Sequence, residues 1–165
     1  MKIAKSKLDE NDVCKIKLED IVKSLEKNIM IYSDMLEEDI EVSKKIEDNN
    51  SYVYGNIVNI NECLIQLLNN AYEHREKTIK VEINLNNNLE IDVIDDGLGF
   101  DKEMLINSKK LFVTSNVGRT SGKGYGIGLY YVNNYLEKIS GKLELYNGEK
   151  GAIAKMLIPV EGYDD

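Results

Sequence analysis

Apolar residues recur along this chain with two periods, and the switches between them mark its elements. Leu18, Ile21, Val22, Leu25 and Ile29 fall at helical spacing as one stripe, so a first helix is expected after a short strand at residues 13–17. A second helix is expected over about 58–74, with Ile60, Leu64, Leu67, Leu68 and Ala71 as its buried stripe. On an adjoining face Gln66, Asn70, Glu73 and His74 fall at i, i+4, i+7 and i+8, close enough to line one site. A third stripe, Leu129, Val132, Leu136 and Ile139, starts inside a glycine run, and Gly141 is placed to end it as a left-handed cap.

Elsewhere the period is two. Short strands are expected around 41–46 and 52–55. Ile79, Val81, Ile83 and Leu85 alternate with polar residues, Asn86-Asn87-Asn88 turn, and Leu89, Ile91 and Val93 alternate again. One more step of that period aims Asp95 at the apolar side. A carboxylate left there without a partner costs several kcal/mol, so donors are expected opposite it. Residues 100–123 are polar and irregular apart from Leu111-Phe112-Val113, which predicts a long loop that is either a functional lid or disordered. A final hairpin pairs 142–146 with 152–158. The sum is an α+β chain: one mixed, mostly antiparallel sheet with three helices on one face, a two-layer α/β sandwich.

Composition adds bounds. A chain of 165 residues suits one domain. Residues 1–12 read as a linker or the tail of an upstream element, 13–160 as the domain, and 161–165 as an acidic tail. No apolar run approaches the roughly 20 residues that span a bilayer, and the polar start is no signal peptide, so a cytoplasmic domain without membrane contact is expected, whatever anchor a longer parent carries. The net charge of −8 argues against non-specific nucleic-acid binding. Cys14 and Cys63 lack metal-ligand spacing and read as reduced core thiols. The two arginines, Arg75 and Arg119, both fall beside the candidate chemistry.

That chemistry lies in three ordered signals: Gln66-Leu67-Leu68-Asn69-Asn70-Ala71, Asp95-Asp96-Gly97-Leu98-Gly99, and Gly124-Tyr125-Gly126-Ile127-Gly128-Leu129. Asp95 can accept from the exocyclic amine of adenine and would not bond the keto oxygen of guanine. Gly97 and Gly99 let the backbone run close to a base. A plain Asp-Asp-Gly turn is the alternative. Asn70 offers a hard amide oxygen to Mg²⁺, or it is an exposed or capping asparagine. His74 stacks on adenine or ribose, or is a surface histidine at a helix C-terminus. Glycines opening a helix expose N–H donors to phosphates. The run fits neither a P-loop, since Gly118 to Gly122-Lys123 is one residue short, nor a Rossmann fingerprint, since Ile127 or Leu129 takes the last glycine position. Lys123 and Arg119 are the natural neutralisers of the β- and γ-phosphates, with Lys109 and Lys110 behind them in a solvated loop.

The ordered set resembles the ATP-binding catalytic domain of sensor histidine kinases, from the superfamily shared with gyrase-type topoisomerases, heat-shock ninety chaperones and mismatch-repair ATPases. Gln66 to Asn70 with His74 resembles its N box, Asp95 to Gly99 its G1 box, Phe112 with Thr114 and Ser115 its F box, and Gly124 to Leu129 its G2 box. The resemblance implies a Bergerat-type fold, ATP with Mg²⁺ as ligand, and a mobile lid over 100–123. It would place Asn70 on Mg²⁺ and Asp95 on adenine. Gln66, His74, Gly97, Gly99, Phe112, Thr114, Gly124, Gly126, Ile127, Gly128 and Leu129 would surround the nucleotide. Asn70, Arg119 and Lys123 would carry catalysis.

Three positions depart from the family pattern: Gln66 replaces its first N-box asparagine, Glu73 stands where a phosphate-binding lysine is common, and Ala152 lacks the usual hydroxyl. The true ATPases place a glutamate base at position 66; an amide cannot deprotonate water, so hydrolysis should be slow. Because His74 lies within the nucleotide helix, the acceptor histidine is expected on a separate dimerisation/phosphoacceptor domain, with a response regulator beyond it. Other readings are an anti-sigma-type serine kinase, which Gln66 counts against, a non-catalytic ATP-sensing module, which Glu73 and Ala152 favour, and a gyrase-like dimerising ATPase, for which residues 1–12 are too polar and short.

Overall fold

In the computed structural model, which describes residues 13–47, 50–112 and 126–162, the first apolar stripe becomes α1 (Leu18–Leu36), with Leu18, Ile21, Val22, Leu25 and Ile29 all buried. It follows directly on β1 (Cys14–Lys17). The second stripe becomes α2 (Ile57–His74). Asn56 caps it, accepting the Val58 and Asn59 N–H groups at 2.9 and 3.1 Å. The glycine-led stripe becomes α4 (Gly126–Lys138).

Five strands form the main sheet: β2 (Ile40–Lys45), β4 (Ile79–Leu85), β5 (Asn88–Asp95), β6 (Lys142–Asn147) and β7 (Ala152–Pro159). Their order is β2-β4-β5-β7-β6, with β2 and β4 parallel and the other neighbours antiparallel. A parallel pair needs a crossover, and α2 lies on the chain between β2 and β4. The mixed, mostly antiparallel sheet is as expected. However, β3 (Tyr52–Gly55) pairs with β1 as a separate two-stranded ladder rather than joining one sheet.

Along β5 burial alternates without a break, so Leu89, Ile91, Val93 and Asp95 all point into the core. They pack with Ile79, Val81, Ile83, Ala154, Met156 and Ile158 beneath the apolar stripes of α1, α2 and α4.

Three expectations are corrected. A fourth helix, α3 (Lys102–Phe112), kinked at Asn107, forms within the stretch expected to be a loop, so the backbone of Lys109 and Lys110 is helical. Its start is fixed by Asp101, which accepts the Met104 N–H at 2.9 Å, and by the burial of Met104. The helix count is therefore four among the described residues. Secondly, the left-handed residue after α4 is Ser140 (φ 64°), not Gly141. The Ser140 N–H donates to the Glu137 carbonyl and the Gly141 N–H to that of Leu136, the paired bonds of a Schellman motif. Gly141 is needed for space, since a Cβ there would lie 2.5 Å from the Leu157 carbonyl oxygen. Thirdly, Cys14 is exposed, and only Cys63 is a core thiol, its pKa pushed up to about 12 by burial.

Candidate nucleotide site

Period two delivers Asp95 to the last position of β5, 4% exposed and facing the helices. Donors are indeed there. Its Oδ1 accepts the Gly97 N–H at 2.8 Å and the Ala152 N–H at 3.3 Å. Burial raises the Asp95 pKa, and these two backbone bonds oppose the rise by favouring the charged form. Both bonds go to one oxygen, which leaves the lone pairs of the other to a further donor. The two glycines beside it are tightly set. A Cβ at Gly97 would lie 1.9 Å from the His74 carbonyl oxygen, and one at Gly151 (φ 91°) would lie 1.9 Å from the Asp95 carbonyl oxygen. The turn after β5 thus rests against the C-terminal end of α2.

Asn70 lies on α2, half-buried, and its Oδ1 is buried without a hydrogen-bond partner among the described residues. Leaving a carbonyl oxygen in that condition costs about 1–3 kcal/mol, which marks it as a position awaiting a ligand. The neighbouring Asn69 is used differently: its Oδ1 accepts the Tyr32 hydroxyl at 2.8 Å and ties α1 to α2. Gln66 donates to Glu62 one turn earlier at 2.6 Å, and its Oε1 would lie 2.9 Å from a Cβ at Gly128. That contact brings the start of α4 against the middle of α2. Leu129 is fully buried beside it. Two tyrosines of α4 strengthen the same junction: the Tyr135 hydroxyl accepts the Asn56 N–H at 2.8 Å, and Asn59 donates to the Tyr131 hydroxyl at 3.1 Å.

Gln66, Asn70, His74, Asp95, Gly97 and Gly128 are therefore gathered between α2, α4 and the end of β5. Gly99 (φ 88°) lies at the edge, its missing side chain making room for Asn147. Thr114, Arg119, Lys123 and Gly124 lie outside the described residues, as do the side chains of Phe112 and Ile127; Gly126 opens α4. A cleft of about 650 Å³ opens beside the turn, with His74, Gly97, Leu98, Asn147 and Gly151 in its walls; Gln66, Asn70, Asp95 and Gly128 do not line it.

Sequence reasoning missed three participants. Ala152 serves through its N–H rather than a hydroxyl, which no side-chain pattern reveals. Asn147, read as a turn residue, holds the backbone of Phe100 by two bonds, accepting its N–H at 2.8 Å and donating to its carbonyl at 3.0 Å. Asp96 accepts three successive backbone N–H groups, those of Glu76, Lys77 and Thr78, at 2.9, 2.8 and 3.0 Å. Arg75, by contrast, is engaged by the fold. It forms a two-pronged ion pair with Glu38 at 2.8 and 2.9 Å and lies 4.1 Å over the Tyr72 ring, and the Glu38 hydrogen bonds raise its pKa further.

Residues 55–162 match the family of histidine kinase-, DNA gyrase B- and HSP90-like ATPases. This chain belongs to that family. The nisin biosynthesis sensor protein NisK of Lactococcus lactis subsp. lactis is 32% identical over 154 residues, which covers 90% of this chain and 34% of that protein. The sensor histidine kinase TrcS of Mycobacterium tuberculosis is 25% identical over 125 residues, 71% of this chain and 25% of that protein. The chain thus spans about a third or less of these curated relatives. Among solved structures, the catalytic domain of histidine kinase ThkA superposes with a TM-score of 0.66 at 18% identity, covering 89% of this chain and 96% of that one. Full-length ShkA, solved in complex with AMPPNP, gives 0.65 at 16% identity over 93% of this chain and 32% of that one. The fold is therefore that of a histidine kinase catalytic domain, the ATP-binding part of the family. No helix among the described residues is long and apolar enough to cross a membrane.

Proposed function

We propose that residues 13–160 form the catalytic domain of a two-component sensor histidine kinase, which binds ATP with Mg²⁺ and donates the γ-phosphate to a histidine on a separate dimerisation/phosphoacceptor domain. The observation that carries this reading is the pairing of a buried carboxylate, Asp95, with a buried amide oxygen, that of Asn70, which has no partner among the described residues, on two elements packed together. Asp95 reads the adenine amine. Asn70 Oδ1 suits Mg²⁺, which keeps most of its waters and needs few protein ligands when phosphates supply the rest. No group of three His, Cys, Asp or Glu side chains among the described residues could hold a metal alone, which agrees with an ion brought in by the nucleotide. The ion would offset charge on the phosphates.

The chain's own residues do the remaining work. The α4 N-terminus, led by Gly126 and Gly128, offers backbone donors to phosphate oxygens, and Arg119 and Lys123 neutralise the transferring group. Gln66 cannot deprotonate water, which preserves the γ-phosphate until an acceptor arrives. The phosphorylated histidine then serves a response regulator, and the reaction belongs to the cytoplasm, where ATP is held. Calorimetric titration with ATP and GTP, each with and without Mg²⁺, should give Mg²⁺-enhanced binding of ATP and far weaker binding of GTP. With γ-³²P-ATP the chain alone should carry no stable label, whereas an added histidine phosphoacceptor domain should. Stable label on the isolated chain contradicts this division, and nucleotide-dependent docking without transfer replaces the kinase by an ATP sensor.

A further inference from the structure

We infer that Asp96 is a positioning residue for this site: by gathering the N–H groups of residues 76–78, it fixes the distance between Asp95 and Asn70. The inference rests on the ATP reading above. Its basis is connectivity. Asn70 rides on α2, which ends at His74; residues 75–78 then lead into β4. Asp95 ends β5, and Asp96 is the first residue of the turn that follows. The Asp96 Oδ1 reaches back to the α2–β4 connection and takes the Glu76, Lys77 and Thr78 N–H groups at 2.9, 2.8 and 3.0 Å. Three convergent amides make a concave anion seat, and a carboxylate in such a seat stays charged far below the usual carboxylate range.

One residue on, Gly97 meets the His74 carbonyl so closely that no side chain fits, and its N–H holds Asp95 Oδ1. The turn is thus fastened to the end of α2 at two successive positions, by attraction at Asp96 and by contact at Gly97. Asp95 bonds directly to the second of these. Without the Asp96 bonds the turn can lift from α2, and a nucleotide held by Asp95 at one end would no longer bring its phosphates to Asn70 at the other. Binding energy from the two ends would cease to add within one ligand.

The test is a double-mutant cycle on the full chain, read by calorimetric titration with ATP and Mg²⁺, with thermal unfolding as the check on folding. Asp96→Ala should remain folded and weaken ATP at least tenfold. Asn70→Ala should weaken it in the wild-type background and cost markedly less, by threefold or more, in the Asp96→Ala background. Asp96→Asn, whose amide oxygen accepts without charge, should fall between wild type and Asp96→Ala in affinity and in coupling. Should Asp96→Ala not fold, Asp96→Asn decides: affinity and coupling equal to wild type overturn the inference. Wild-type affinity in a folded Asp96→Ala overturns it too, as does a loss strictly additive with Asn70→Ala, which a general structural role predicts. A wild-type chain that gives no ATP isotherm instead overturns the ATP reading, and this inference falls with it.

Discussion

Replacing Asp95 with Asn separates nucleotide recognition from folding. In the native site both backbone donors, Gly97 N–H and Ala152 N–H, converge on Oδ1 at 2.8 and 3.3 Å. An asparagine must therefore turn its single oxygen toward them, which puts its NH₂ where the second carboxylate oxygen stood. With adenine bound as proposed, it would face the exocyclic amine, donor against donor. The lost bond to a charged acceptor removes about 1.5–3 kcal/mol, and a buried donor left unmet adds to it, so a total of about 2–4 kcal/mol is expected. At about 1.4 kcal/mol per decade, Kd for ATP should rise roughly 30- to 1000-fold. Stability should move the other way. Burial raises the Asp95 pKa, so the folded protein disfavours the charge, and the stability this group contributes at low pH is lost as pH rises. The neutral amide escapes that loss, so the nucleotide-free variant should melt at or above the wild-type temperature at pH 7.5. Calorimetry and thermal unfolding on the same preparation give both numbers. ATP affinity within threefold of wild type refutes the adenine assignment, and a parallel fall in melting temperature shows that Asp95 acts through the fold.

Two further predictions use stability alone. Gly97→Ala places a Cβ 1.9 Å from a backbone oxygen that cannot retreat, whereas Gly128→Ala meets the movable end of Gln66 at 2.9 Å. The first should cost about 2–3 kcal/mol or more, about 5–10 °C in melting temperature for a domain of this size, and the second under about 1 kcal/mol; equal melting temperatures would contradict the packing described. Asp92, on the outer face of β5, has its pKa raised to about 6, chiefly by burial, against partial relief from Lys155 at 4.0 Å. A raised acid binds its proton more tightly when folded, so the stability contributed by Asp92 is fully present below about pH 4 and is lost as pH rises toward 6 and beyond. Asp92→Asn should remove that share of the pH dependence and gain at most about 3 kcal/mol above pH 7 in urea unfolding. A pH profile unchanged by the substitution would disprove it.

How legible the chain was depends on the range of the interaction concerned. The alternation Leu89, Ile91, Val93 is local, and carrying it two residues further placed Asp95 correctly on the buried face. The helical stripes of α1, α2 and α4 were equally plain. By contrast, Met104 is the one fully buried side chain of α3 among those described, on a polar segment whose stripe does not stand out; Asp101 three residues before Met104 was the available signal. The parallel pairing of β2 with β4 and the separate β1–β3 ladder depend on where α1 and α2 pack, which no window of sequence contains. The left-handed residues that end α1 and α4, Glu37 and Ser140, are not glycines, so their type did not mark them, and Gly141 beside Ser140 drew the expected cap one residue too far. At the candidate site, the placement of residues 66 and 70 on one helix and the inward aim of Asp95 were readable, while backbone donors such as Ala152 and the triple amide seat of Asp96 appear only once strands are in register.

The position of β7 governs the order in which this protein becomes competent. It is the last strand along the chain, yet it lies inside the sheet, between β5 and β6. Its first residue, Ala152, supplies the amide that meets Asp95, and the glycine just before the strand presses on the backbone there. During synthesis on the ribosome, Asp95 therefore lacks one of its two backbone donors until residues 151–159 emerge and insert. If that carboxylate reads a base, as proposed, a nascent polypeptide halted before the strand would carry the side chains of the site without the amide that helps to set one of them.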